Sequence, residues 1–255
     1  MKANSLTLYV EIDQDEFIFF VVQKNVENNF TLIFKKKVST NAIIGEKIVN
    51  ADEVLRIVKE NIYSIEKKFN VTFKEAVILL NSFNFSFLNL SGFKKLNGSQ
   101  LLKDNVTYII NTLKSCIDET EKNKTIIHIF NSKFYLDSKQ IENLPIGLFG
   151  DFYSHELTFC LSNNNNQKNF HNIFNRCNLK IKKFILLNYL KGTYISEQNQ
   201  NLNSFFFIKI NNESSEVFFF EDGTLIFEQK FDFGTNLVLQ DISKVTSLKF
   251  EKVKK

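Results

Sequence analysis

One three-stranded motif occurs twice in this chain and limits what it can fold into. Near the start, Leu6–Asp13, Glu16–Lys24 and Phe30–Val38 are rich in Val, Ile, Phe and Tyr and are separated by the short polar links Gln14-Asp15 and Glu27-Asn28-Asn29. They predict three strands joined by hairpins. Near the end, Phe205–Ile210, Glu216–Glu221 and Thr224–Phe231 repeat the pattern, with Glu221-Asp222-Gly223 as a hairpin turn. Each meander leads to a helix. Asn50-Ala51-Asp52-Glu53 supplies a start for an amphipathic helix to about Asn70, with Val54, Leu55, Val58, Ile62, Ile65 and Phe69 at helical spacing. Asp232-Phe233-Gly234-Thr235-Asn236 opens a last helix through Asp241 and Val245.

Between the meanders the pattern predicts a strand at Phe73–Leu80, another at Phe83–Leu90, a polar joint at Ser91–Asn97 and a long amphipathic helix at Gln100–Glu121. Strands at Thr125–Phe130, Lys133–Asp137 and Tyr153–Leu161 follow, then a mobile Asn163–Asn166 loop, a helix at Lys168–Cys177 and a strand at Leu179–Leu187. A polar joint around Ser196–Asn203 leads to the second meander. The loop Glu142–Gly150 holds the only proline, Pro145, and two of the 8 glycines, which predicts a tightly specified, partly apolar turn. The fold class is α/β, an α+β mixture of meander-plus-helix units.

Composition excludes several functions. Hydrophobic residues at 44% and charged residues at 24% suit a folded globular chain of 255 residues. The 32 basic and 28 acidic residues are interspersed, so a net +4 does not call for nucleic acid as a partner. Lys35, Lys36 and Lys37, the tightest basic run, read as a solvated turn after a strand. No secretory signal pattern opens the chain, and no run approaches the roughly 20 apolar residues of a membrane span. The expected location is cytoplasmic, or peripheral at the inner face of the membrane. The tail Leu248–Lys255 is basic but too short for stable anchoring and reads as a frayed terminus.

Catalytic and metal templates fail. Cys116, Cys160 and Cys177 are too far apart for a metal knuckle and read as small buried hydrophobes. His155-Glu156 lacks the second histidine of a zinc helix, and His128 and His171 lack an i+4 partner, so the histidines read as packing or surface residues. The glycines form no Walker loop, dinucleotide fingerprint or nucleophile elbow.

Several motifs in order resemble the bacterial cell division family FtsA. They are Ile127-His128-Ile129-Phe130, then Phe134-Tyr135-Leu136-Asp137, then Asn143-Leu144-Pro145-Ile146-Gly147-Leu148-Phe149-Gly150, and finally Phe233-Gly234-Thr235-Asn236-Leu237 leading to Asp241-Ile242. The resemblance implies an actin-like (actin/RNase H-like) fold with an SHS2-type insert. Residues 1–82 and 162–202 would form subdomain 1A, 83–161 the insert, and 203–255 the start of subdomain 2A. The family binds ATP and tethers the division polymer FtsZ to the membrane. Its insert mediates self-association and contacts with other division proteins.

Both phosphate loops depart from the family. Where it has a DIGTSK-like loop, this chain has Glu11-Ile12-Asp13-Gln14-Asp15-Glu16, with Asp13 in place of glycine and Glu16 in place of lysine. Where it has a triple-glycine loop, this chain has Lys209-Ile210-Asn211-Asn212-Glu213-Ser214-Ser215-Glu216, with Lys209 in place of the metal-orienting Asp. A phosphate hairpin brings backbone N–H groups close to anionic oxygens, which favours glycine and disfavours carboxylates. Asp13, Gln14, Asn211, Asn212, Ser214 and Ser215 are therefore degenerate phosphate-loop positions. No cofactor is expected, and ATP with Mg only if those loops retain binding. The chain stops where the family's remaining nucleotide-clamping subdomain would begin, so FtsZ is expected as a partner only if a further C-terminal half exists. These readings point to a non-catalytic division scaffold acting through the insert. The alternative is a polymerising ATPase.

Overall fold

The computed structural model describes residues 5–13, 15–25, 29–81, 83–199 and 201–253. In chain order, β1 (Ser5–Ile12), β2 (Glu16–Lys24) and β3 (Phe30–Ser39) form the first meander, followed by the short β4 (Ile43–Ile44) and β5 (Lys47–Ile48). Then come α1 (Ala51–Phe69), β6 (Glu75–Leu80), β7 (Ser86–Lys95), α2 (Lys103–Thr120), β8 (Lys124–Leu136), β9 (Lys139–Ile141) and β10 (Phe152–Asn163). α3 (Asn164–Arg176), β11 (Lys180–Leu186) and α4 (Leu187–Gln198) precede the second meander, β12 (Ser204–Ile210), β13 (Ser215–Glu221) and β14 (Thr224–Phe231), and the chain closes with α5 (Thr235–Thr246) and α6 (Phe250–Val253).

The chain divides into two compact units. One comprises residues 1–85, 114–128 and 160–191, the other 86–113, 129–159 and 192–255. The first is built on a five-stranded sheet in the order β11-β6-β1-β2-β3. β1 pairs antiparallel with β2 and parallel with β6, which is itself parallel to β11. Period-two alternation sorts β1: Leu8, Val10 and Ile12 enter the main core, while Tyr9 packs with Val77, Leu79 and Ile185 in a second cluster. α1 presents Val54, Ile57, Val58, Ile62 and Ile65 to the main core, where α3 adds Phe170, Ile173 and Phe174. Each such side chain contributes roughly 1.5–3 kcal/mol by leaving water. α1 starts at Asn50, whose side chain accepts from the Glu53 amide, and stops at Asn70 in the left-handed conformation.

In the second unit α2 closes on β7, β8 and β10 around Leu96, Leu101, Val106, Ile109, Leu136 and Tyr153. The second meander is a separate three-stranded sheet, ordered β12-β13-β14. Phe205 and Phe207 stack on Phe220 and Phe218 across its inner face. α4 packs there through Gly192, where any Cβ would overlap the Phe220 ring.

Several local expectations are corrected. Asn163–Asn166 is not a mobile loop: Asn163 caps α3 by accepting from the Asn165 amide, and Asn166 is buried in the first turn. An asparagine run carries no apolar period, so its capping capacity was hidden by its composition. Lys35–Lys37 lie within β3 and not in a turn, where a sheet edge tolerates lysine. The Ser91–Asn97 joint is mostly strand, since β7 runs to Lys95, and the two strands predicted over 125–137 are the single β8. α4 was unpredicted because it has no consistent apolar face and contains Gly192, a poor helix former. Of the cysteines, Cys160 is buried, Cys177 half-buried and Cys116 exposed, on an outward position of α2. The tail forms one helical turn, Phe250–Val253; Lys254 and Lys255, like Glu27 and Asn28 of the first meander, lie outside the described residues.

His155 packs, with its ring 4.8 Å from that of Phe134. It is buried, and burial lowers its pKa to about 4, below the usual 6.5. Because the unfolded chain binds the proton first, stability is full above about pH 6.5 and is lost as pH falls toward 4. Replacing His155 with Leu should flatten that window. Urea unfolding midpoints at several pH values check this, the variant showing a smaller fall than the parent between neutral pH and pH 4.

Candidate functional site

The first hairpin, between β1 and β2, is closed by the Asp13 amide donating to the Glu16 carbonyl at 3.0 Å. Glu11, Asp13, Asp15 and Glu16 gather four carboxylates here. Asn81, just past the end of β6, donates from Nδ2 to Glu11 Oε1 at 3.2 Å and to Asp13 Oδ2 at 2.8 Å. Glu16 is paired with Lys37 Nζ of β3 at 2.9 Å. Burial pushes the Glu11 carboxyl above its ordinary range, against the pull of the Asn81 hydrogen bond and the Lys191 charge. Gln14 lies outside the described residues.

The second hairpin, between β12 and β13, is closed by the Asn211 amide donating to the Ser214 carbonyl at 2.9 Å. It is latched to the start of α5. The amides of Thr235 and Asn236 donate to the carbonyls of Asn211 and Asn212 at 3.0 and 2.9 Å, and Ser215 Oγ donates to the Phe233 carbonyl at 2.8 Å. Gly234 is required by close approach, because a Cβ there would overlap the Asn211 carbonyl. The first amides of α5, which elsewhere attract anions, thus meet carbonyl oxygens. Lys209 and Glu216, cross-strand partners, form an ion pair at 3.3 Å. On the same sheet burial, reinforced by Glu216, raises Glu228 to about 8.

Asn211, Asn212, Ser214 and Ser215 therefore share one hairpin, while Asp13 belongs to the other hairpin in the other compact unit. Sequence reasoning missed Asn81, Lys37 and the latch to α5. Asn81 is 68 residues from Asp13, and no local pattern announces such a contact. The pairing of Asn211 and Asn212 with Thr235 and Asn236 was open to view only as Asn and Gly at two turn positions.

A third feature is the loop from Glu142 to Gly150. The Leu101 amide donates to the Leu148 carbonyl at 2.9 Å, and the Gly147 amide to the Leu101 carbonyl at 2.8 Å. Gly147 has φ +88°, and Asp137 Oδ1 accepts from the amides of Asp151 and Phe152. The backbone is thus pinned while Leu102, Ile146, Leu148 and Phe149 stand 39–67% exposed. Beside it Phe93 stacks on Phe152 at 5.4 Å. A fixed backbone that exposes several large apolar side chains is suited to docking a protein surface. Among the described residues no helix is long and apolar enough to cross a membrane, and no group of three or more His, Cys, Asp or Glu side chains could hold a metal ion.

No family model matches the chain. The cell division protein FtsA of Buchnera aphidicola subsp. Schizaphis graminum is 21% identical over 99% of this chain and 61% of its own length. The cell division protein FtsA of Buchnera aphidicola subsp. Acyrthosiphon pisum is 19% identical over 95% of this chain and 57% of its own. The chain thus spans about three fifths of the length of these relatives. Among solved structures, a chain of the PilM-PilN type IV pilus biogenesis complex superposes with a TM-score of 0.60 at 8% identity, over 98% of this chain and 68% of that one. In sequence this chain is similar to FtsA proteins, and its fold is actin-like.

Proposed function

We propose that this protein is a non-catalytic scaffold of bacterial cell division, linking the division ring to partner proteins at the inner face of the cell membrane. The contacts are made by an SHS2-type insert, residues 83–161, carried on subdomain 1A (1–82 and 162–202) and followed by the start of subdomain 2A (203–255). The observation that carries this reading is the pinned loop displaying Ile146, Leu148 and Phe149 beside Leu102. Partner proteins bury such side chains as anchors, and a few of them supply most of the binding energy.

The two hairpins support the absence of nucleotide chemistry. An ATP phosphate at the first would meet Glu11, Asp13, Asp15 and Glu16. Even at an effective dielectric near 20, one unit charge about 4 Å from a phosphate oxygen costs on the order of 4 kcal/mol. That equals the whole free energy of binding at a Kd of about 1 mM. At the second hairpin the α5 amides that would face phosphate already bond to Asn211 and Asn212. The residues present thus do not fit ATP with Mg, and no catalytic step is assigned to them.

Two experiments test these halves separately. Replacing Leu148 and Phe149 with Asp should abolish capture of division proteins in pull-downs with the chain as bait, while thermal unfolding moves little because both side chains are exposed. Undiminished capture by that variant would refute the docking role. Isothermal titration with Mg-ATP should give no binding isotherm at concentrations up to about 1 mM. Saturable heat below that level would restore the ATPase reading.

A further inference from the structure

A cavity of about 350 Å³ opens in the second compact unit, between β7, β8 and β10 on one side and β13 and β14 on the other. Leu90 of β7, Leu157 of β10 and Ile226 of β14 form its apolar wall. Asn89 of β7, Ser132 of β8, Glu156 of β10 and Glu221 of β13 supply polar groups. The two sides are tied together beside it, where Thr224 Oγ1 donates to the Asn131 carbonyl at 2.7 Å and Lys133 Nζ pairs with Glu221 at 3.1 Å. The cavity shares no lining residue with the Glu142–Gly150 loop.

Hydrogen bonds at the wall fix which atoms a ligand meets. Thr158, buried in β10, commits its one hydroxyl proton to Asn89 Oδ1 at 2.6 Å. Ser132 Oγ, 2.9 Å from Thr158 Oγ1, is therefore the donor of that pair. With its proton committed, Ser132 has only lone pairs to offer the cavity. Charge points the same way. Lys133 pairs with Glu221, and the Glu156 charge acts on the same ammonium, yet Glu156 has no ion pair of its own among the described residues. Two half-buried carboxylates thus share one cation, and one negative charge stays without a counterpart.

We propose that this cavity binds a single ammonium or guanidinium head carried on a short aliphatic stem. The head donates to Glu156 and to the Ser132 lone pairs and completes the charge balance, while the stem lies against Leu90, Leu157 and Ile226. An ammonium carries three donors and no acceptor, which suits a lining of carboxylates and a hydroxyl that can only accept. Volume sets the size of the ligand. Small-molecule pockets run from roughly 300 to 1,000 Å³, so this one holds an amine of a few carbons or one basic side chain, not a nucleotide. A neutral alcohol of the same shape would fill the wall but leave the Glu156 charge unanswered. None of this rests on the docking role of Leu148 and Phe149.

Titration of the 255-residue chain with cadaverine, followed by backbone amide chemical shifts, tests it. Saturable shifts are expected on β7, β8 and β10, with a Kd at or below about 1 mM, and none with pentanol. Glu156→Gln and Ser132→Ala should each weaken binding roughly tenfold while keeping the parent circular dichroism, since the second leaves the Thr158 bond to Asn89 in place. Capped lysine and capped arginine amides separate the two sources of such a head. Tighter binding of cadaverine assigns the cavity to a free amine, and tighter binding of a capped residue to a basic side chain of another protein. No saturable shift with any of the three up to about 10 mM, pentanol binding as tightly as cadaverine, or undiminished binding by Glu156→Gln would each overturn the proposal.

Discussion

The placement of β1 at the centre of the five-stranded sheet is the constraint on which the first compact unit depends. It is the strand flanked on one side by an antiparallel neighbour and on the other by a parallel one. Its alternation sends Leu8, Val10 and Ile12 to one face and Tyr9 and Glu11 to the other, so a register slip of one residue would exchange core for carboxylate. α1 closes the apolar face, and the parallel pairing of β6 and β11 brings α3 to the same core. The end of β1 then fixes where Glu11 and Asp13 stand, and the end of β6 fixes Asn81, so the polar cluster at the first hairpin is a product of strand register.

Much of this was legible in the sequence where a single period ran uninterrupted. Both meanders, α1 and α5 lie within a few residues of their expected positions, because alternation or helical spacing persists through each and polar links bound them. Legibility failed where composition and structure parted. The asparagines at 163–166 carry cap chemistry without hydrophobic period, α4 lacks a consistent apolar face, and β8 continues across Asn131 and Ser132, whose polarity looked like a turn. Ser132 is held within the strand by a hydroxyl pair with Thr158 at 2.9 Å, a partner 26 residues away.

The candidate sites follow the same division. The Glu142–Gly150 loop was visible as a Pro and Gly cluster with apolar residues between, and the structure adds what fixes it, a backbone exchange with Leu101 and the Asp137 carboxylate. At the two hairpins the residue types were readable, but their partners were not. Asn81 and Lys37 come from other strands' ends and edges, and the latch between the second hairpin and α5 joins Asn211 to Thr235, 24 positions on in the numbering.

On the reading proposed above, those hairpins keep a fold without phosphate chemistry. Closing a β-hairpin requires one short backbone hydrogen bond, and each has it, from Asp13 to Glu16 and from Asn211 to Ser214. Cradling a phosphate asks for more: N–H groups turned outward, small residues that allow close approach, and no carboxylate nearby. The first demand is met by almost any polar turn and is coupled to the core through strand register. The second is coupled to nothing but the ligand. On the reading proposed here, substitutions such as those at Asp13 and Asn211 lose anion affinity without loosening Leu8, Val10 or Phe218, so the meanders persist as a frame while binding is left to surfaces that the frame holds still.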